Sequence, residues 1–394
     1  MVTTNQVYID SSNNEGWFVS DYGERLYKID YNTDTISYIA LLPNRRRSTY
    51  CVNDCIVYKD YVYCISNQRK HICIYNKVKN RFEVINLEYL DFSEKAKSKY
   101  IKSILYKDKI YVVYGGLNKI IEIDAELKKV AACYSIDIPY VTDYVRDDSL
   151  YHNKWYIMMA EKNTILEFDL EQKEQRLIIL DCIPERVYTI SCVDNSLWFS
   201  GVSRNIYQID LNNYSIVETL QIPEEYGIKY QSCPKRCNGC KDLCSNYWFS
   251  SSVAFVHEIW FIPAMFGDII VLNTENKNIY SIGKLDVCDE NGCLRVWKIG
   301  LRDNRYIEVC TKEIYKNIVI DTIEKMIKDK SVDYDDESKK SYIVDLIHEN
   351  EILDETQYIG CRDILSILDT FDIQLQYLRE QEKGKLIYQT IKSK

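Results

Sequence analysis

Residues 1–321 are built from short runs rich in β-branched and aromatic residues, separated by turn signals such as Asp-Asn, Ser-Arg-Asn and Asn-Asn. Alternating apolar and polar positions bounded by such turn residues predict strands rather than helices. The runs recur, and seven segments align on two landmarks. The first is a large residue inside a strand-like run: Phe18, Tyr63, Tyr111, Tyr156, Trp198, Trp260 and, as the weakest match, Ile307. The second is an apolar residue followed by Asp or Asn, at Ile29-Asp30, Tyr75-Asn76, Ile123-Asp124, Phe168-Asp169, Ile209-Asp210, Leu272-Asn273 and Ile320-Asp321. Successive first landmarks lie 45, 48, 45, 42, 62 and 47 residues apart.

Each unit divides into four strands. In residues 187–221 they read VYTISCVDN, SLWFSGVS, NIYQIDLN and YSIVETLQI. The repeated Asp or Asn has a local cause: a short acceptor side chain bonds the backbone two residues on and opens the turn between the third and fourth strands. The large landmark has a packing cause, because wedge-shaped four-stranded sheets packed face to face leave a widening gap that a ring fills. Four strands in a period of 40 to 50 residues predict an all-β, seven-bladed β-propeller, with six blades as the alternative. The propeller is expected over residues 1–321, with an insertion at about 222–249.

The runs GWFVSDYGERLYKIDYNTDTISYIALLP and SLWFSGVSRNIYQIDLNNYSIVETLQIP resemble the WFT-type blade repeat of the streptogramin-lyase family, and the strand rhythm is similar to that of kelch-type proteins. WD40 signatures are missing from the units. The lyase resemblance implies a histidine and carboxylates around a magnesium ion, just after the landmark strands. At those positions only Asp21 and Glu161 are acidic, and none of His71, His152, His257 and His348 matches. Proton abstraction therefore lacks an obvious carrier.

Composition narrows the class. In 394 residues, 46% are hydrophobic and 28% charged, with only 6 Pro and 13 Gly, which excludes wholesale disorder and collagen-like chains. No apolar run approaches the roughly 18 residues of a membrane helix, and Met1–Asp10 lacks the basic and apolar regions of a signal peptide. The expected location is cytoplasmic, with no membrane partner. The net charge is −9, and most of that excess sits in residues 321–394, so no global field favours nucleic acid.

Fifteen cysteines without a secretory signal suit a reducing compartment. The least random feature of the chain is Cys233, Cys237, Cys240 and Cys244, spaced C-x3-C-x2-C-x3-C in the insertion between units five and six. Four thiolates predict tetrahedral zinc as a loop staple, with an iron–sulfur cluster and disulfides or free thiols as the alternatives. The first three share the radical-SAM spacing, but the position within a propeller and Gly239 before the third cysteine count against that reading. Cys64, Cys73, Cys133, Cys192 and Cys310 alternate within strand runs and are expected in the core.

At the expected starts of the inner strands the chain places a cation, an aromatic residue or both: Arg47, Lys102, Tyr144 with Arg146, Arg186 with Tyr188, Trp248, and Arg295 with Trp297. In a propeller these starts surround one channel mouth, so they predict a rim for an anionic or glycan-like ligand or a protein client. Asp143, Asp147, Asp148 and Glu185 lie alongside, and internal salt bridges are the competing use of the cations. Residues 322–341 read as the end of the last blade and a polar linker. Within 342–394, Cys361, Ile364, Leu368, Phe371, Leu375 and Leu378 form a helical stripe, which either docks on the propeller or allows self-association. The favoured function is a recognition scaffold. The runner-up is a lyase or hydrolase in the channel mouth, acting on a sugar or peptide-like substrate with Glu161 or Asp21 as acid or base.

Overall fold

A computed structural model describes residues 7–20, 24–43, 53–66, 70–90, 101–114, 118–136, 145–159, 163–227, 249–264, 267–285, 288–289, 292–293, 296–311, 316–331, 333–335 and 338. The helical stripe, the four-cysteine loop, Asp21 and Glu161 lie outside them. Among the described residues seven four-stranded antiparallel sheets follow one another along the chain, so the six-blade alternative falls. Blade 1 comprises Tyr8–Asp10, Glu15–Val19, Arg25–Asp30 and Thr35–Leu41, and blade 2 comprises Asn53–Tyr58, Tyr61–Ser66, His71–Asn76 and Arg81–Asn86. Blade 3 is Ile101–Tyr106, Lys109–Tyr114, Lys119–Asp124 and Lys129–Ser135, and blade 4 is Val145–Tyr151, Lys154–Met159, Thr164–Asp169 and Gln175–Ile179. Blade 5 is Val187–Val193, Ser196–Gly201, Asn205–Asp210 and Ile216–Gln221, and blade 6 is Phe249–Phe255, Glu258–Pro263, Gly267–Asn273 and Ile279–Leu285. Blade 7 is Val296–Arg302, Tyr306–Thr311, Lys316–Asp321 and Met326–Ser331. The first strands of blades 1 and 2, 2 and 3, 4 and 5, 5 and 6, 6 and 7, and 7 and 1 neighbour one another, and Lys102 of blade 3 reaches Asp148 of blade 4.

Both landmarks behave as their chemistry requires. All seven large landmark residues are at most 2% exposed. Six of them sit in hydrophobic clusters shared by successive blades, one of which packs Tyr111 and Val113 of blade 3 with Trp155, Leu166 and Phe168 of blade 4, while Phe18 stacks on Tyr27 within blade 1. Burial of each such side chain is worth about 1.5–3 kcal/mol. The landmark Asp or Asn accepts from backbone N–H groups two or three residues on in every blade, at 2.7–3.2 Å. Four residues after that landmark the chain adopts the left-handed conformation in all seven blades: Asp34, Asn80, Lys128, Lys173, Tyr214, Lys277 and Lys325 have φ between 49° and 64°. From there Lys128, Lys173, Lys277 and Lys325 reach back over Tyr61, Tyr111, Trp198 and Tyr280 of the preceding blade, at 3.8, 4.5, 4.4 and 4.5 Å from the ring centroids.

The ring closes without exchange of strands within a blade. Blade 7 packs directly on blade 1: a Cβ on Gly300 would lie 2.3 Å from Cδ1 of Ile9, so glycine permits this close approach. Arg302 donates to Asn14 at 3.2 Å, and Asp303 N donates to Ser11 Oγ at 3.3 Å. The chain then crosses to the outer edge of blade 1, where Asp333–Tyr334 adds a parallel strand against Thr35 and Ile36. Ser37 Oγ donates to Asp335 at 2.5 Å, and Tyr38 N donates to Ser338 Oγ at 2.6 Å. Part of the stretch whose polarity suggests a linker is thus a clasp, and a two-residue strand is too short to carry a periodic signal. Cys64, Cys73 and Cys192 are buried as expected, but Cys133 is exposed. It stands on the outer, fourth strand of blade 3, where one face meets solvent, and this corrects its assignment to the core.

Candidate functional site

The first strands carry a polar belt around the channel. Ser103 of blade 3 donates to Asp54 of blade 2 at 2.6 Å. Lys102 Nζ lies 2.5 Å from Asp148 of blade 4, whose other oxygen accepts from Trp155 Nε1 at 3.0 Å. Asp147 accepts from Ile190 N of blade 5 at 3.2 Å and from Ser251 Oγ of blade 6 at 3.2 Å, joining three blades through one carboxyl. Ser149 Oγ receives Cys192 N at 3.1 Å, and the hydroxyls of Ser191 and Ser252 meet at 2.8 Å. Alternation explains this arrangement: every second residue of a strand faces its neighbour blade, and inner strands too narrow for large apolar groups fill that space with hydroxyls and carboxyls. Burial pushes the Asp147 carboxyl up to about 7; Lys102 opposes that rise and the Asp148 charge adds to it. Asp147 is thus buried between blades, and its bonds to blades 5 and 6 tie the inner strands together.

Of the expected rim residues, the structure describes three in full. Lys102 is on the first strand of blade 3, buried and paired with Asp148, the kind of internal salt bridge that competes with a ligand. Arg186 is exposed immediately before the first strand of blade 5, and its carbonyl accepts from Val202 N at 3.2 Å. A Cβ on Gly201 would lie 2.3 Å from that carbonyl, so glycine allows the two segments to meet. Tyr188 is half-buried on the first strand of blade 5. Arg146 and Trp297 occupy the equivalent positions of blades 4 and 7, with side chains outside the described set. Arg47, Tyr144, Trp248 and Arg295 lie outside the described residues, as do Cys233, Cys237, Cys240 and Cys244. Among the described residues no group of three or more His, Cys, Asp or Glu is arranged to hold a metal.

The belt residues Asp54, Ser103 and Ser251 escaped the sequence reading. Their signal was the polar member of an alternating pair, which is the same in every solvent-facing strand. His152 and His257 do occupy the turns between first and second strands. At the turn-side end of the channel, a cavity of ≈ 550 Å³ between blades 1 and 2 is lined by Tyr8, Asp10, Glu15, Tyr58, Lys59 and Lys77 among others. Burial opposes ionisation of Asp10, but hydrogen bonds from Ser12 and Asn13 and the Lys77 charge outweigh it and hold the carboxyl below its ordinary range. The carboxylates here are already engaged by their own neighbours.

The sequence matches no family model and no curated protein. Solved structures resemble it in shape. The WD40 repeats of RRP9 superpose with a TM-score of 0.56 at 6% identity, over 79% of this chain and 88% of that one. A chain of the mitotic checkpoint complex gives 0.53 at 11% identity, over 84% and 87%. PorZ, an essential bacterial surface component of the type-IX secretion system of Porphyromonas gingivalis, gives 0.51 at 10% identity, over 84% of this chain; the chain spans 38% of the PorZ length. At such identities the likeness is one of fold, and propeller geometry does not require the WD40 signatures that the sequence lacks.

Proposed function

We propose that the protein is a recognition module whose channel mouth binds an anionic or glycan-like ligand or a protein client, with zinc held by Cys233, Cys237, Cys240 and Cys244 as a staple for the neighbouring loop. The observation that carries this reading is the placement of the exposed Arg186 and the half-buried Tyr188 at the start of the first strand of blade 5. Neighbours in shape from the mitotic checkpoint complex and a secretion-system surface component agree with a protein client. The blade motif keeps its resemblance to streptogramin-lyase and kelch-type repeats as a reading of pattern. Arg146→Ala combined with Arg186→Ala is expected to weaken ligand or client binding while leaving the thermal midpoint within a few degrees. A folded double variant with unchanged affinity overturns the rim. For the staple, metal analysis of anaerobically purified protein is expected to return one zinc per chain, with no visible absorption. A coloured protein containing iron would replace zinc with an iron–sulfur cluster.

A further inference from the structure

Blade 1 departs from the other six at the turn-side end of the channel. Its first strand, Tyr8–Asp10, has three residues where the first strands of the other blades have six or seven. The turn that follows takes the four residues 11–14, against two in blades 2–6 and three in blade 7. The short strand leaves room beside blade 2, and the cavity of ≈ 550 Å³ opens there, a size that suits one small molecule. Its polar walls are unevenly satisfied. The long turn folds back on Asp10: Ser12 Oγ donates to one carboxylate oxygen at 2.5 Å and Asn13 Nδ2 to the other at 2.8 Å. Lys77 Nζ is left 3.7 Å from Asp10, too far for a hydrogen bond, and 6.0 Å from the Trp17 ring centroid, the outer limit of a cation–π contact. The Lys77 side chain is only 18% exposed, yet among the described residues no acceptor takes a hydrogen bond from its ammonium. On the same walls the half-buried Tyr8 hydroxyl and the exposed Asp60 carboxylate also have no hydrogen-bond partner among the described residues. Burial chiefly, with the Asp10 and Asp54 charges, pushes the Tyr8 phenol up to about 12, so at neutral pH it both donates and accepts. Sheltered donors left unused are expensive unless something in the cavity takes their hydrogen bonds.

We infer that this cavity is a second binding site, at the opposite end of the channel from the rim, and that its ligand is a neutral hexose. The charges on the walls already have opposite neighbours: Asp10 faces Lys77, Glu15 accepts from Lys28 at 3.4 Å, and Lys59 donates to Glu126. A ligand is therefore not required to bring charge. What remains unused is Lys77 as donor, Asp60 as acceptor and Tyr8 as either. Sugar hydroxyls, each able to donate and accept, match that mixed set. A compact anion would use Lys77 but meet the negative charges of Asp10 and Asp60. Val57 and Leu105 add an apolar wall for the C–H face of a sugar ring. The site does not depend on the mouth-binding reading, and failure of the rim leaves it standing.

Calorimetric titration of the full chain with D-glucose, D-galactose, D-mannose and inorganic phosphate tests the assignment. At least one hexose is expected to bind, and phosphate is not. Lys77→Met, which keeps the apolar stem, and Tyr8→Phe, which keeps the ring, are each expected to weaken that hexose by about fivefold or more. Lys107→Met removes an exposed lysine on the same side of the ring, paired with Glu171 at 2.7 Å, and is expected to change binding by less than about twofold. Circular dichroism and thermal midpoints verify that each variant folds, and Tyr8→Phe alone carries the test if Lys77→Met does not. Three hexoses that fail to bind, or hexose binding indifferent to both cavity variants, would overturn the site. An equal loss in Lys107→Met would trace binding to the charge of the face and remove the cavity from it. Phosphate binding in place of a hexose, abolished by Lys77→Met, would overturn the neutral-sugar assignment in favour of an anion.

Discussion

On the turn side of the ring, every blade repeats one construction: a landmark Asp or Asn caps the turn, and the residue four later enters the left-handed conformation. On the mouth side, blades 4–7 bulge where blades 2 and 3 pair regularly, and polar contacts skip between blades in no repeated order, as when Asp147 reaches Ser251 past blade 5. The difference has a physical origin. Turn chemistry is satisfied within a few contiguous residues, so each copy of the repeat inherits it. The mouth end has no such local constraint, so its residues are free to differ from blade to blade, and a site built there does not interrupt the fold.

Three substitutions test the contrast, beginning with the packing that both sides share. Trp260→Ala deletes a fully buried landmark ring and is expected to cost about 3–5 kcal/mol in denaturant unfolding. A much smaller loss would mean that the landmark is not a wedge between blades.

Asp321→Ala probes the turn side. This buried carboxylate pairs with Arg305 at 2.6 Å and caps Ile323 and Glu324, and the Arg305 hydrogen bond chiefly holds its pKa at about 2. The expected cost is about 1–2 kcal/mol. Because the pKa is depressed on folding, the contribution is complete above the unfolded value of about 3.9 and is lost as pH falls towards about 2. The stability gap between wild type and variant should therefore narrow across that acid window, and a constant gap would exclude the ion pair as its source.

Asp147→Asn probes the mouth side, with the opposite sign. Folding raises this pKa to about 7, so the folded state favours the neutral acid, and the wild type loses stability as pH rises from about 4 to about 7. Asparagine does not titrate. Relative to wild type, the variant should gain in thermal midpoint between pH 5 and pH 8, and parallel midpoints would show that Asp147 is already charged in the folded protein.

Much of the fold was legible because its causes are local. The strands of blade 5 fall at Val187–Val193, Ser196–Gly201, Asn205–Asp210 and Ile216–Gln221, within a residue or two of the runs seen in the sequence. Less of the site was legible. Lys102 reads as a rim cation, yet whether it faces a ligand or Asp148 depends on which strand of blade 4 stands beside it. Cys133 alternates with apolar residues like Cys73 does, but burial depends on whether the strand is inside or at the outer edge.

The sequence by itself determined the propeller repeat, the four strands of each unit, the capped turns and the wedge residues, because each follows from periodicity or turn chemistry within a few neighbouring positions, whereas the choice of seven blades over six came from the structure. Only the tertiary structure decided the outer clasp at Asp333–Tyr334, the belt through Asp147 and the four aligned bulges. The clasp and the belt depend on partners 40 to 300 residues away, as in Asp147–Ile190 and Tyr38–Ser338, and no local pattern records which distant strand will lie alongside once the ring has closed.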